Sequence, residues 1–386
     1  MNSIEQTFHN STQYFKTHVT KDLKFRRKQL KLLGKSIKNH EAALLEAFQK
    51  DLGKNKVEAY ATEIGFTLKS IKNARKELKN WAKRKQVNTP IYMFPTKSYI
   101  IKEPYGTVLI IGPFNYPFQL LIEPLIGAIA AGNTAILKPS EFTPNVSEVI
   151  KNVIEDVFDP EYISICEGDA ETTQSLIQLP FDYIFFTGSE QVGKIVYQAA
   201  SKNLTPVTLE LGGKSPVIID ETANIKVASE RISFGKFTNA GQTCVAPDYI
   251  LVNHKVKDEL IAALKKTITE FYGNNIQESP DFGRIVNHKH FSRLDNLLKV
   301  HHAEIAFGGG SNEDESYIAP TLLDGITFNA KIMEDEIFGP ILPIITYDDF
   351  DEAIDLIRSK PKPLSLYLFS EDENATERVL NEISFG

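Results

Sequence analysis

Val108-Leu109-Ile110-Ile111, the apolar run from Leu120 to Ala131, and Thr134-Ala135-Ile136-Leu137-Lys138 follow one another along the chain. The first and third are short apolar runs of strand length, and the second has the length of a helix. Tyr162-Ile163-Ser164-Ile165-Cys166 and Tyr183-Ile184-Phe185-Phe186-Thr187 read as further strands, and a helix starts near Pro144. Strands that alternate with helices predict a parallel sheet covered on both faces, with ligands beyond the strands' carboxyl ends. Upstream, Leu30, Leu33, Ile37, Leu44 and Phe48 form one helical stripe that ends near Gly53. Val57, Ala61, Ile64, Leu68, Ile71, Leu78 and Trp81 form a second. Pro90 to Tyr105, with three prolines and short apolar pairs, reads as an extended arm or hairpin. A second α/β lobe begins near Lys214, and Cys166 reads as core in an apolar strand.

At 386 residues the chain exceeds what one core usually serves, so two or more lobes are expected. A net charge of −7 argues against nucleic acid or an anionic membrane as partner, since both need basic surface. The basic residues Arg26, Arg27, Lys28, Lys83 and Lys85 therefore read as solvated helix faces. Two cysteines give no disulfide framework and suit a reducing, cytoplasmic setting. The start, Met1-Asn2-Ser3-Ile4-Glu5-Gln6, lacks the basic residues and apolar run of a signal peptide. The Leu120–Ala131 run is broken by Glu123 and Pro124 and is too short to span a bilayer. Neither His288 and His290 nor His301-His302 has a neighbouring ligand pattern, so no metal is expected.

The chemistry-bearing stretch is Phe237-Thr238-Asn239-Ala240-Gly241-Gln242-Thr243-Cys244-Val245-Ala246-Pro247. Its small residues leave room around the Cys244 sulfur, and a helix beginning there would favour the thiolate. An inert buried cysteine is the competing reading. Val207, Leu209 and Leu211 alternate with Thr208 and Glu210, which predicts a half-buried strand ending at Gly212-Gly213. Glu210 is then either a solvent-facing strand residue or a carboxylate beside the thiol. Thr187-Gly188-Ser189-Glu190-Gln191-Val192-Gly193-Lys194-Ile195 nearly matches a triphosphate-binding loop, but Ile195 stands where a hydroxyl should hold Mg²⁺. Lys138-Pro139-Ser140-Glu141 closes a strand, and the Glu141 carboxylate can accept from ribose hydroxyls while repelling a 2′-phosphate. Asn115, between Pro113 and Pro117, is a turn asparagine or an amide donor.

With Pro113-Phe114-Asn115-Tyr116-Pro117 and Glu336-Ile337-Phe338-Gly339-Pro340, these stretches resemble the aldehyde dehydrogenase superfamily, class 3 branch, from about residue 20 to the end. The resemblance implies an α/β fold: a Rossmann-type cofactor domain (1–86 and 104–209), an oligomerisation arm (87–103), and an α/β catalytic domain (210–386). It implies Cys244 as nucleophile, Asn115 as oxyanion donor and Glu210 as general base. It assigns Lys138, Glu141, Gly188, Ser189, Val192, Gly193, Leu211, Gly212, Glu336 and Phe338 to the cofactor, NAD with NADP also possible.

The implied reaction is oxidation of an aldehyde to the acid, through a thioester on Cys244 hydrolysed by a Glu210-activated water. Two alternatives stand beside it: CoA-acylating aldehyde oxidation, and a catalytically silent structural or binding relative. The chain stops at Ile383-Ser384-Phe385-Gly386, whereas the resembled proteins continue for several tens of residues. A fragment or a truncation is therefore expected, with the arm's sheet only partial and the homodimer expected of the family undermined.

Overall fold

The computed structural model describes residues 3–386. Met1 and Asn2, where the reading of the N-terminus begins, lie outside the described residues. The chain divides into two compact units: one joins the segment up to Asp51 with Lys56–Glu210, the other joins Leu52–Asn55 with Leu211–Gly386.

In the first unit a small hairpin, β1 (Lys85–Val87) and β2 (Ser98–Ile100), pairs antiparallel. Ile91, Tyr92 and Phe94 at its tip are largely exposed. The main sheet contains β3 (Thr107–Ile111), β4 (Thr134–Lys138), β5 (Ile163–Ile165), β6 (Tyr183–Thr187) and β7 (Val207–Glu210). All pairings are parallel, in the order β5-β4-β3-β6-β7, so β3 lies at the centre and is buried along its whole length. Its apolar run is unbroken because a sheet covered by helices on both faces leaves the central strand no solvent-facing position.

The N-terminal stripe is fully buried at Leu30, Leu33, Ile37, Leu44 and Phe48, but His40 divides it between helices Leu23–Asn39 and Glu41–Leu52. The second stripe is only partly correct. Ile64, Ile71 and Leu78 are buried, whereas Val57 is 78% and Trp81 41% exposed. A π-helical turn at Tyr60–Ile64 inserts extra arc into the helix and rotates the residues before it out of phase with those after. The same turn carries Glu63, fully buried, whose carboxylate accepts from the Phe118 and Gln119 amides at 3.0 Å each. Helix Gln119–Ala131 has no side-chain cap of its own at Phe118, so Glu63 supplies one from a distant segment.

The second unit holds β8 (Pro216–Ile219), β9 (Tyr249–Asn253), β10 (Ile305–Phe307), β11 (Ser311–Asn312), β12 (Tyr317–Ile318), β13 (Thr321–Asp324), β14 (Ile341–Tyr347) and β15 (Tyr367–Phe369). β11 and β12 form a separate antiparallel pair. The other six form one sheet in the order β10-β13-β14-β9-β8-β15, parallel except for β10 against β13. Its core includes Val217, Ile250, Leu251, Ile341 and Leu342, none measurably exposed. Each such side chain contributes roughly 1.5–3 kcal/mol by leaving water. No helix among the described residues is long and apolar enough to cross a membrane.

Candidate active site

Four of the singled-out stretches lie at the carboxyl ends of the first unit's strands. The loop after β3 carries Asn115, buried at 3% exposure. Phe114 in that loop meets Phe142, in the turn after β4, edge-on with ring centroids 6.0 Å apart. The cap from Glu63 fixes the loop's far end. At the end of β4, Lys138 is buried, and its ammonium donates to the Pro139 carbonyl at 2.7 Å and the Glu141 carboxylate at 3.2 Å. Glu141 itself is exposed. Lys138 therefore half-neutralises the acid that faces solvent, leaving it able to accept hydrogen bonds.

After β6, Ser189 caps helix Glu190–Ser201 by accepting from the Val192 amide at 3.4 Å. The Gly188 amide donates to the Glu210 carbonyl at 3.0 Å, continuing the ladder in which Thr187 stands beside Glu210. Gly193 is buried and Val192 is 40% exposed. Glu210 closes β7 with an exposed side chain. The strand's other three residues are each partly buried, without the strict alternation expected, because β7 is the edge strand of its sheet.

The second unit brings together Gly212-Gly213, the Cys244 stretch and the Glu336–Pro340 turn. No helix begins at Cys244. Helix Ile225–Phe237 ends before it, and a short 3₁₀ turn, Thr238–Gly241, leads into the turn holding the cysteine. The expected helix-dipole support for the thiolate is therefore absent, because the chain runs away from a helix end rather than into a helix start. The turn is instead set by left-handed backbone: Asn239 and Ala240 have φ of 54° and 51°, and Gly241 has φ of 75°. A Cβ on Gly241 would lie 2.3 Å from the Gly339 carbonyl oxygen, so only glycine permits the two turns to close on each other.

Gln242, 1% exposed, staples the same turn. Its amide nitrogen donates to the carbonyls of Asn239 (3.0 Å) and Arg284 (2.9 Å), and its amide oxygen accepts from the Val286 amide (3.0 Å). The Tyr367 hydroxyl donates to the Val245 carbonyl on the other side. Cys244, two residues past Gln242, is partly buried. The second cysteine is not core as expected. Cys166 lies one residue past β5, is partly exposed, and its amide donates to the Leu137 carbonyl at 2.8 Å. Burial nonetheless pushes its thiol pKa up, opposed by Lys138.

Below the turns lies a charge network that sequence reasoning missed. The Asp248 carboxylate accepts from Lys214 at 2.6 Å and from the Ile337 amide at 3.0 Å. Lys214 also donates to the Ile332 and Asp335 carbonyls, and Arg293 donates to the Ile337 carbonyl at 2.6 Å. The Glu336 carboxylate lies on Gly212, where a Cβ would sit 2.0 Å from one of its oxygens. Burial, with Asp248 adding, raises the Glu336 pKa to about 8. The signal for this network was the buried face of helix Ile225–Phe237, where Ala228 and Ile232 are followed four residues on by Lys236.

The residues present fit a dinucleotide. The Thr187 hydroxyl, at the end of β6, is buried without a hydrogen-bond partner among the described residues, beside the helix start at Ser189. Such a start favours a phosphate, and Glu141 offers acceptors for a sugar diol. Among the described residues no cluster of three or more His, Cys, Asp or Glu is placed to hold a metal.

The chain belongs to the aldehyde dehydrogenase family, whose pattern matches residues 2–386. It is an α/β oxidoreductase that acts on an aldehyde, with NAD(P) as the family's cofactor. It is 72% identical, over its whole length and 84% of the relative's, to 4,4′-diaponeurosporen-aldehyde dehydrogenase of Staphylococcus aureus (strain NCTC 8325 / PS 47). Aldehyde dehydrogenase family 3 member B2 of Mus musculus is 44% identical over 99% of this chain and 79% of its own, in keeping with the class 3 resemblance. The structure of Staphylococcus aureus AldH in a substrate-bound state superposes with a TM-score of 0.98 at 71% identity, covering 100% of this chain and 84% of that one.

Proposed function

We propose that this chain oxidises the terminal aldehyde of a long, apolar, conjugated molecule to the carboxylic acid, with NAD as the preferred cofactor. The observation that carries the catalytic part is the Cys244 turn, held in left-handed backbone by Gly241 and stapled by Gln242. That is more restraint than an inert thiol needs. The substrate class rests on the 72% identity to a relative named for a diaponeurosporen aldehyde.

In this reading the Cys244 thiolate bonds to the carbonyl carbon, and the Asn115 amide donates to the resulting oxyanion. A nicotinamide cofactor, when bound, would supply the hydride acceptor, and Lys138, Glu141, Gly188, Ser189, Val192, Gly193, Leu211, Gly212, Glu336 and Phe338 would hold it. Loss of the hydride from the carbon leaves a thioester on Cys244. Glu210 takes a proton from water, the hydroxide attacks the thioester, and the acid departs with the thiolate restored. Water as acceptor sets this reading apart from the CoA-acylating one.

One observation favours a second candidate for the base. Glu336 lies in the same unit as Cys244, on the turn that closes against Gly241, with a pKa raised to about 8. A raised carboxyl pKa suits proton abstraction near neutrality. The exposed Ile91, Tyr92 and Phe94 of the hairpin tip support association with a second copy. The two thiols and the acidic surface suit a cytoplasmic setting.

The test is reduced-cofactor formation by the purified chain across aldehydes of increasing length, ending in polyene aldehydes, with NAD and NADP and with and without CoA. Rates that rise with apolar length and do not need CoA support the proposal. No reduced cofactor with any aldehyde refutes it.

A further inference from the structure

The net charge of −7 is an average over unlike faces. Helix Leu23–Asn39 contains no acidic residue, and helix Gly65–Trp81 contains one, Glu77, which accepts from the Asn80 amide at 2.9 Å. On the first, Lys24, Lys28, Lys31, Lys35 and Lys38 recur every three or four residues, with Arg27 beside them. On the second, Lys69, Lys72, Lys76 and Lys79 do the same. That spacing places each set on one face of its helix, and all ten side chains are exposed. Arg26, which reads from sequence as part of the same solvated face, turns inward and donates to the Thr20 and Ala130 carbonyls at 2.6 and 3.2 Å.

The two helices are neighbours. Gly34 of the first faces Ile71 of the second, where an added Cβ would stand 3.4 Å from that side chain. Leu30, Leu33 and Ile37 share one core with Ile71, Ala74 and Leu78. The apolar faces are taken up by that core, and the lysine rows are carried on the outer sides of the helix pair. Other surface helices pair their cations one turn along: Lys50 with Glu46, Lys266 with Glu270, Arg378 with Glu382. Among the described residues none of the ten forms an ion pair, whereas Lys21 and Lys151 of the same unit do. Each row therefore sets like charges one turn apart, which weakens a helix. Solubility does not require it, since interspersed charges of both signs serve that end.

We propose that this helix pair is a docking face for anionic lipid, on which the chain lies while it takes its aldehyde from the bilayer. Nine of the ten cations are lysines, compact point charges that suit a layer of headgroups, whereas sites that read single phosphates favour the arginine fork. No aromatic residue stands between Lys69 and Lys79, and Phe25, the one aromatic of the first helix, packs against the core. Neither row therefore offers a nucleic-acid base a ring to stack on. An apolar polyene aldehyde partitions out of water into a bilayer, and this choice of partner rests on the substrate class proposed above. Repulsion from the acidic remainder is screened beyond about 8–10 Å in physiological salt, so the face in contact decides. With its apolar side already buried, the pair attaches by charge, and the attachment is reversible.

The test is flotation of the full chain with vesicles of phosphatidylglycerol and phosphatidylcholine, beside vesicles of phosphatidylcholine alone and beside DNA. The chain should float only with the anionic vesicles and should be released at about 0.5 M salt. Lys28→Gln, Lys35→Gln, Lys72→Gln and Lys76→Gln combined should weaken binding by more than about a hundredfold, at roughly fivefold for each lysine at an anionic surface. Glutamine keeps the helix propensity, so equal thermal unfolding temperatures are expected. Lys226→Gln with Lys266→Gln, exposed positions of the second unit, should change binding by less than about twofold.

Equal flotation of the four-lysine variant and the wild type would overturn the proposal. So would a wild type that stays off anionic vesicles at low salt, or one that binds DNA more tightly than those vesicles. Turnover of a short, water-soluble aldehyde should be the same in the variant and the wild type. Absence of turnover in both would refute the oxidation reading and leave the lipid result standing.

Discussion

Replacement of Gln242 by Leu tests how the nucleophile turn is held. Gln242 is buried and serves three backbone groups, but the loss is not the same at each. The Asn239 carbonyl keeps a partner, the Gln242 amide at 3.1 Å, whatever the side chain. Among the described residues, the Arg284 carbonyl and the Val286 amide have only the Gln242 side chain. Leucine therefore strands one acceptor and one donor in the interior. At about 1–3 kcal/mol for each unsatisfied group, the cost is roughly 2–6 kcal/mol, a large share of a typical domain's 5–15 kcal/mol.

The damage is local to the second unit. Trp81, the single tryptophan, belongs to the first unit, so its fluorescence is the wrong probe. Urea unfolding followed by circular dichroism should show the lower stability, and hydrogen exchange should rise in residues 237–247 and 284–287. Alkylation of Cys244 by iodoacetamide should change in rate, because the sulfur's backbone is no longer pinned. Gln242→Glu should be no better: it keeps the acceptor for Val286 but loses both donors and buries a charge. An unfolding free energy within about 0.5 kcal/mol of wild type, with unchanged exchange and alkylation, would refute the stapling argument.

Other outcomes follow from the same structure. Asn115→Ala should lower kcat by about 10²–10³-fold, the usual effect of losing one oxyanion donor; a change below about threefold in single-turnover rates removes Asn115 from that role. Glu141→Ala should raise the preference for NADP over NAD by roughly tenfold, the equivalent of about 1.4 kcal/mol of relieved repulsion, and an unchanged ratio of kcat/KM values contradicts this.

His290 gives the pH dependence: burial, with Arg293 and Lys289 adding, lowers its pKa from 6.5 to about 4. The folded state keeps it neutral while the unfolded chain binds a proton near 6.5, so stability is full above that value and is lost as pH falls toward 4. His290→Gln should flatten the dependence of the urea midpoint over that window, and an unchanged slope assigns it elsewhere.

The sheet of the first unit was legible because burial on both faces imposes a local rule. Val108–Ile111, 135–137 and 184–186 are apolar throughout, and each reads as a strand without its neighbours. Phase was less legible. Val57 fell off its stripe because a π turn leaves no mark in the pattern of apolar residues, and Trp81 because it is the last residue of its helix. The setting of Cys244 was misread for a related reason: glycine and small residues announce a turn, but not whether a helix enters or leaves it.

Hidden entirely were the groups whose partners are distant in sequence. Glu63 caps a helix 55 residues away, and Lys214 meets Asp248 across 34. Gln242 reaches Val286 across 44. Nothing in the residues between them encodes those meetings. A lysine on a helix's buried face, Lys236, was the one anomaly visible in the sequence.

The most direct test of the account is mass spectrometry of Cys244 peptides, quenched during turnover of Glu210→Gln with aldehyde and NAD, alongside the NADH released in the first turnover. The account predicts about one NADH per active subunit followed by slow turnover, with the acyl mass on Cys244 and on no other residue. An NADH burst without an acyl mass on Cys244, or full steady-state activity in Cys244→Ala, would contradict it.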